Sequence, residues 1–165
     1  MKAVVCIVGK SDVGKTTFLE KLVPELKRRG YRVAVIKHDS HDFQIDHPGK
    51  DTWRLAHAGT DLVIISSPNK MALIELVAEE LSLNFLTSFV ESRVDIILAE
   101  GYKRSDKPKI EISRSELGDE LLCSEDELMA IVSDRQFPFA VPHFDLDDSA
   151  GVADLLTPLI EQSQS

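Results

Sequence analysis

Hydrophobic residues occur along the chain in short runs that alternate between the spacing of strands and the spacing of helices. The run "KAVVCIV" near the N-terminus is continuous, which is typical of a strand buried on both faces of a parallel sheet. A glycine-flanked turn follows, and after it the apolar residues recur at helical spacing, namely Phe18, Leu19, Leu22, Val23 and Leu26. Because the stripe continues past Pro24, we expect one bent helix that ends at Gly30.

The rest of the chain continues this alternation. The runs "YRVAVIKH", "DLVIISS" and "VDIILAE" predict strands, "KIEIS" and "LMAIVSD" predict shorter strands, and "MALIELV" fits either a strand or the start of a helix. Helices are predicted at about 51–58, near 83–90 and in the terminal "AGVADLLTPLIEQ". The pattern predicts one domain over residues 1–165, a doubly wound α/β fold whose mostly parallel sheet has some antiparallel edge pairing.

Charge and composition narrow the range of partners. The 165 residues carry a formal net charge of −9, with a pI near 5.0, so the surface would repel nucleic-acid phosphates. No apolar run approaches the roughly 20 residues needed to cross a bilayer, and we expect a cytoplasmic protein without membrane contact. Cys6 and Cys123 lack the spacing of metal or redox motifs, which favours a packing role.

The turn after the first strand carries the most specific chemistry. "GKSDVGKT", from Gly9 to Thr16, matches the phosphate-binding loop G-x-x-x-x-G-K-[ST], and it lies between a strand and a helix as that motif requires. The match predicts the three-layer fold of P-loop nucleotide-binding proteins. Backbone N–H groups at such a helix N-terminus surround the phosphates of a nucleotide.

The loop positions have separate predicted roles. Gly9 and Gly14 allow close approach of the backbone, Lys15 reaches the outer phosphates, and the Thr16 hydroxyl binds Mg²⁺. The other predicted nucleotide-binding residues of the loop contribute mainly backbone donors, and these are Lys10, Ser11, Asp12, Val13 and Thr17. Because a carboxylate beside a polyphosphate is repulsive, we expect the side chain of Asp12 to point away from it.

A metal-bound nucleotide also needs an acidic residue, and the segment "VDIILAEG" provides a glutamate at the end of a predicted buried strand. Glu100 lies at the carboxyl end of that strand and is followed by Gly101, whereas Asp95 begins it at the opposite end. We therefore predict Glu100 as the metal-side and catalytic acid, together with Lys15 as the catalytic cation.

Four of the five histidines lie between His38 and His57. A zinc site formed by His38, His41 and His47 is one interpretation, although their spacing matches no established zinc pattern. The alternative is that this loop reaches the outer phosphate and that Asp39 helps to hold Mg²⁺.

Several motifs together indicate a family. The phosphate-binding loop, "KHDSHDFQIDHPGKDTWRLAHAG", "LAEGYK" and the late "VSD" occur in an order that resembles the molybdopterin-guanine dinucleotide biosynthesis adaptor proteins, the B component of that pathway. The resemblance covers most of the chain. It implies a GTP-binding adaptor with weak GTPase activity that assists the guanylyltransferase attaching GMP to molybdopterin.

The resemblance further implies that Gly14, Lys15 and Thr16 bind phosphate and metal, that Glu100 and Gly101 form the second nucleotide motif, and that residues 37–51 form the characteristic loop. We also expect a homodimer, and molybdopterin is a candidate second ligand. Lys10 matches an extra lysine of related dimeric ATPases, so its predicted contact is to phosphate in the same chain, across a dimer, or to solvent.

The base-recognition residue has no standard motif here, because Asn69 and Lys70 begin N-K-x-D but Ala72 replaces the acid. Asp134, at the end of "MAIVSD", could accept hydrogen bonds from guanine, or it could cap the turn before Arg135. No Gln or Arg is clearly spaced to lie beside the outer phosphate, which predicts slow hydrolysis. Two other functions use the same loop, a small-molecule kinase and a dimeric assembly ATPase.

Overall fold

The computed structural model describes residues 2–39, 41 and 43–164. Its contacts divide the chain into two compact units, one formed by residues 1–38 and 83–165 and the other by residues 39–82. In chain order the elements are β1 (Ala3–Val8), α1 (Lys15–Arg28), β2 (Val33–Lys37), α2 (Asp51–His57), β3 (Leu62–Ser67), β4 (Lys70–Glu75), α3 (Leu83–Val90), β5 (Ile96–Glu100), β6 (Lys109–Ser113), β7 (Leu128–Ser133), β8 (His143–Phe144) and α4 (Ser149–Gln162).

The first unit is built on a six-stranded sheet in the order β2-β5-β1-β6-β7-β8. Every neighbouring pair in it is parallel. β1 lies between β5 and β6, and this central position explains its unbroken apolar run. The predicted α/β class and mostly parallel sheet are confirmed.

Side chains of the strands alternate between two hydrophobic clusters. Val5 and Ile7 of β1 belong to a cluster that also contains buried residues of α1 and α4, such as Leu22 and Leu156. Cys6 and Val8 belong to the other cluster. That cluster includes Leu83 at the start of α3 and residues of the connecting loops, such as Cys123 and Phe137. Helices α1 and α4 therefore cover one face of the sheet, while the second face is covered largely by loops.

Both cysteines lie buried in this second cluster as free thiols. Burial raises the pKa of Cys6, and burial together with nearby Glu111 raises the pKa of Cys123 to about 12. Both thiols are therefore protonated at neutral pH and act as small apolar groups, as the packing prediction requires.

The second unit contains α2 and the antiparallel pair β3 and β4. The ambiguous segment "MALIELV" is thus a strand that pairs with the third. The predicted antiparallel pairing is present, but its place differs from the prediction. β3 and β4 form a separate two-stranded sheet and are not an edge of the main sheet. Two residues of the predicted loop, Ser40 and Asp42, lie outside the described residues.

The two-residue strand β8 was not predicted. His143 and Phe144 pair with Ile131 and Val132 of β7. A strand of two residues is too short to show the alternation of apolar and polar residues by which strands are predicted. No helix in the described parts of the chain is long and apolar enough to cross a membrane.

Candidate nucleotide-binding site

The phosphate-binding loop connects β1 to α1 at the carboxyl edge of the parallel sheet, where ligands of open α/β sheets bind. Its backbone has a positive φ at Gly9 (145°), Asp12 (59°) and Gly14 (97°). Val13 anchors the loop, because its side chain is buried in the cluster beneath α1. Ser11 and Asp12 are exposed, so the loop turns its polar side to solvent.

Gly9 is required by its surroundings as well as by its dihedral angle. A Cβ atom built on Gly9 would lie 2.4 Å from the carbonyl oxygen of Ile112 in β6. No side chain fits at that distance, so the loop can follow this path only with glycine.

Lys15 begins α1, and its ammonium group points back into the loop. Nζ donates to the carbonyl oxygens of Lys10 at 2.8 Å and Gly9 at 3.2 Å. A partly buried cation is therefore held within the curve of the loop by two of the loop's own carbonyl oxygens.

Thr16 and Glu100 come together from two different elements. The Thr16 hydroxyl lies 3.2 Å from Oε1 and 3.1 Å from Oε2 of Glu100, which is buried at the end of β5. Lys37, at the end of β2, lies 3.7 Å from Oε1 of the same carboxylate. A hydroxyl and a carboxylate that converge in this way are the hard oxygen donors that Mg²⁺ prefers, so the residues present fit that ion.

Gly101 continues this edge with a positive φ of 94°, and a Cβ there would lie 3.3 Å from the carbonyl oxygen of His38. Asp95, at the other end of β5, forms an ion pair with Arg32. The bonds from Arg32 lower the pKa of Asp95 to about 2, so the residue has a structural partner away from the loop.

The position of Asp39 relative to Thr16 and Glu100 stays a prediction, since Asp39 belongs to the second unit. There its carboxylate accepts a hydrogen bond from the N–H of His41 at 3.1 Å. Within the described residues, no three His, Cys, Asp or Glu side chains are grouped as ligands of a metal ion.

Lys10 has a contact within its own chain. Its Nζ donates to the carbonyl oxygen of Leu117 at 2.9 Å, in the short turn after β6. Asp134, at the end of β7, accepts two hydrogen bonds at 2.9 Å from the N–H and the hydroxyl of Ser115 in the same turn. These bonds lower the pKa of Asp134 and keep it ionised.

Arg114 also contacts the loop, although no sequence pattern predicts this contact. It follows β6 directly, and its Nε donates to the carbonyl oxygen of Val13 at 2.8 Å. No motif marks this arginine, because 101 residues separate the two partners and only the pairing of β1 with β6 brings them together.

The sequence also matches a known protein family. A family profile described as "Molybdopterin guanine dinucleotide synthesis protein B" matches residues 4–134. This chain belongs to that family. Its match spans β1 through Asp134 and includes the loop, Glu100 and the turn after β6.

Individual relatives agree with the family assignment. The chain is 38% identical over 157 residues to the molybdopterin-guanine dinucleotide biosynthesis adapter protein of Escherichia coli strain K12, covering 92% of this chain and 90% of that protein. It is 35% identical over 151 residues to the adapter protein of Haemophilus influenzae, covering 91% and 85%.

Solved structures of the family share the fold. A crystal structure of a molybdopterin-guanine biosynthesis protein B superposes with a TM-score of 0.73 at 28% identity, covering 96% of this chain and 99% of the other. The Bacillus subtilis homologue also gives a TM-score of 0.73, at 24% identity, covering 95% and 97%.

The packing of the loop predicts unequal effects for two glycine substitutions. Gly9→Ala should lower the free energy of unfolding by about 1–3 kcal/mol more than Gly30→Ala, because only the first methyl group meets a backbone atom. Gly30 is a matched control, with a positive φ of 91° and nothing within 4 Å of the added Cβ. Urea unfolding measures the free energy of unfolding of both variants. Equal losses of stability in Gly9→Ala and Gly30→Ala would contradict the close approach of Gly9 to β6.

Proposed function

We propose that this protein binds GTP with Mg²⁺ at the loop from Gly9 to Thr17 and acts as an adaptor in the synthesis of molybdopterin guanine dinucleotide. The observation that carries the proposal is the convergence of Lys15, Thr16 and Glu100 on one end of the sheet. Membership of the synthesis protein B family supports the pathway, since the two bacterial relatives are named as adapter proteins of that synthesis.

In this proposal each side chain has a defined task. Lys15 leaves the loop carbonyl oxygens to contact the outer phosphates, and the backbone N–H groups of the loop bind the remaining phosphate oxygens. Thr16 and Glu100 hold Mg²⁺, which neutralises charge on the phosphates when bound. Lys37 stays beside Glu100 and balances its charge.

We propose that hydrolysis of GTP is weak, well below the roughly 10 s⁻¹ typical of enzymes. Glu100 can orient an attacking water, but Arg114, which contacts the loop, already donates its Nε to the carbonyl oxygen of Val13. A slow reaction suits an adaptor, because its nucleotide-loaded state must last long enough to engage a partner.

For the base we propose Asp134 as the residue that recognises guanine. An ionised carboxylate has about four acceptor positions, and the two bonds from Ser115 use one on each oxygen. These bonds orient the carboxylate and leave acceptor positions for the imino and amino groups of guanine, which adenine lacks. The position also suits the base, since β7 lies on the side of β1 opposite to Glu100.

Competition binding tests this role. Asp134→Ala should reduce the preference for GTP over ATP by about ten-fold or more, because losing a paired contact to a base typically costs several kcal/mol. Ser115→Ala is the control, because it removes only the hydrogen bond from the Ser115 hydroxyl to Asp134. This variant should retain most of the preference for GTP over ATP. An Asp134→Ala variant with full GTP preference would exclude this residue as the reader of the base.

The proposed partner is the guanylyltransferase that transfers GMP to molybdopterin. Lys103 and Arg104 are exposed in the turn after Gly101 and provide positive charge near the phosphate site for that enzyme or for an anionic pterin phosphate. A homodimer is also proposed, since one face of the second unit's hairpin exposes Ile64, Met71 and Leu73.

Reconstitution with purified guanylyltransferase tests the adaptor role. Adding the protein with GTP should raise the yield of guanylated cofactor, whereas Lys15→Ala, which cannot neutralise the outer phosphates, should not. Charge reversal at Lys103 and Arg104 should weaken the effect while leaving GTP affinity unchanged. If wild-type protein binds GTP but changes neither rate nor yield, the adaptor role is wrong.

A further inference from the structure

The side chain of Arg114 occupies the space next to Gly14 in the phosphate-binding loop. If Gly14 carried a Cβ, that atom would lie 3.3 Å from Nη2, 3.5 Å from Nε and 3.9 Å from Cζ of Arg114. The guanidinium group therefore packs against Gly14, which has no side chain, while its Nε donates to the neighbouring carbonyl oxygen of Val13 at 2.8 Å.

This hydrogen bond controls the direction of a backbone donor. The carbonyl of Val13 and the N–H of Gly14 belong to one planar, trans peptide unit, so they point in opposite directions. An arginine that holds the carbonyl on one side therefore fixes the N–H on the other. In the proposed complex, that N–H is one of the donors that surround the phosphates.

The turn that carries Arg114 is itself held in place. The N–H of Leu117 donates to the carbonyl oxygen of Arg114 at 3.0 Å, and Ser115 donates twice to Asp134. Lys10 adds a bond from the loop to the carbonyl oxygen of Leu117. The arginine is thus oriented by the protein in advance, and binding of a ligand need not order it.

Among the residues that the structure describes, no ion pair neutralises the charge of Arg114. The pKa of Asp134 is lowered mainly by its hydrogen bonds from Ser115, and that of Asp147 mainly by Lys21, with only a small contribution from Arg114 to each. In the described part of the chain no carboxylate lies within 4.0 Å of the guanidinium nitrogens of Arg114. Asp134 is bound by Ser115 and Asp147 by Lys21. A half-buried cation without a paired anion beside the loop favours an anionic ligand there.

We propose that Arg114 is a positioning residue for phosphate binding, which fixes the peptide between Val13 and Gly14 with its N–H directed at the ligand. The role rests on the proposed nucleotide function of the same loop. It depends on the planar group with its Nε donor, which lysine cannot reproduce although it carries the same charge.

Two variants and one control test this role. Arg114→Lys and Arg114→Ala should each weaken GTP and GDP binding by roughly ten-fold or more, because the Gly14 N–H is then no longer held towards the ligand and one hydrogen bond to a charged phosphate oxygen is lost. Arg28→Ala, an exposed arginine at the far end of α1, should bind like the wild type. Titration calorimetry gives the affinities, and thermal unfolding shows that the variants are folded.

A second measurement reports on the peptide itself. The amide resonance of Gly14 in a nitrogen-15 correlation spectrum of the protein without ligand should shift in Arg114→Lys as well as in Arg114→Ala. A Lys variant with wild-type affinity, or with an unmoved Gly14 resonance, would overturn the positioning role. Wild-type protein that binds neither GTP nor GDP would instead overturn the proposed nucleotide function.

Discussion

The close approach of the loop backbone to β6 is the constraint on which the site depends. Gly9 lies against the carbonyl of Ile112 with no room for a side chain, so the chain leaving β1 must turn across the end of the sheet. This turn sets the start of α1 and, with it, the direction of Lys15 and Thr16. β5 lies on the other side of β1 and places Glu100 beside Thr16.

Charge within the site is opposite to that of the protein as a whole. The chain carries a net charge of −9, yet Lys15, Lys37 and Arg114 come from three separate elements to the carboxyl edge of one sheet. Local cations attract a small anionic ligand even where the net charge of the protein is negative. Among these cations lies the carboxylate of Glu100, which pairs with the Thr16 hydroxyl in an arrangement that suits Mg²⁺.

Much of this site can be predicted from sequence because its signals are local. The loop has fixed spacing, and the buried strand that ends on Glu100 shows by its apolar run that the acid lies at the correct edge. Arg114 and the contact of Lys10 with Leu117 could not be predicted, because they depend on β6 pairing with β1 about 100 residues away in the chain. The strand β8 is only two residues long, and the antiparallel pair gave no signal that it would form a sheet of its own.

The metal dependence of GTP binding in wild type and Glu100→Gln is the most direct test of the account. Calorimetric titrations with and without Mg²⁺ should show that the ion tightens binding to the wild type, since Thr16 and Glu100 are the proposed oxygen ligands of the ion. The variant should lose that gain while retaining the affinity measured without metal. An equal effect of Mg²⁺ on both proteins, or none on the wild type, would contradict the assignment of Thr16 and Glu100 as the metal site.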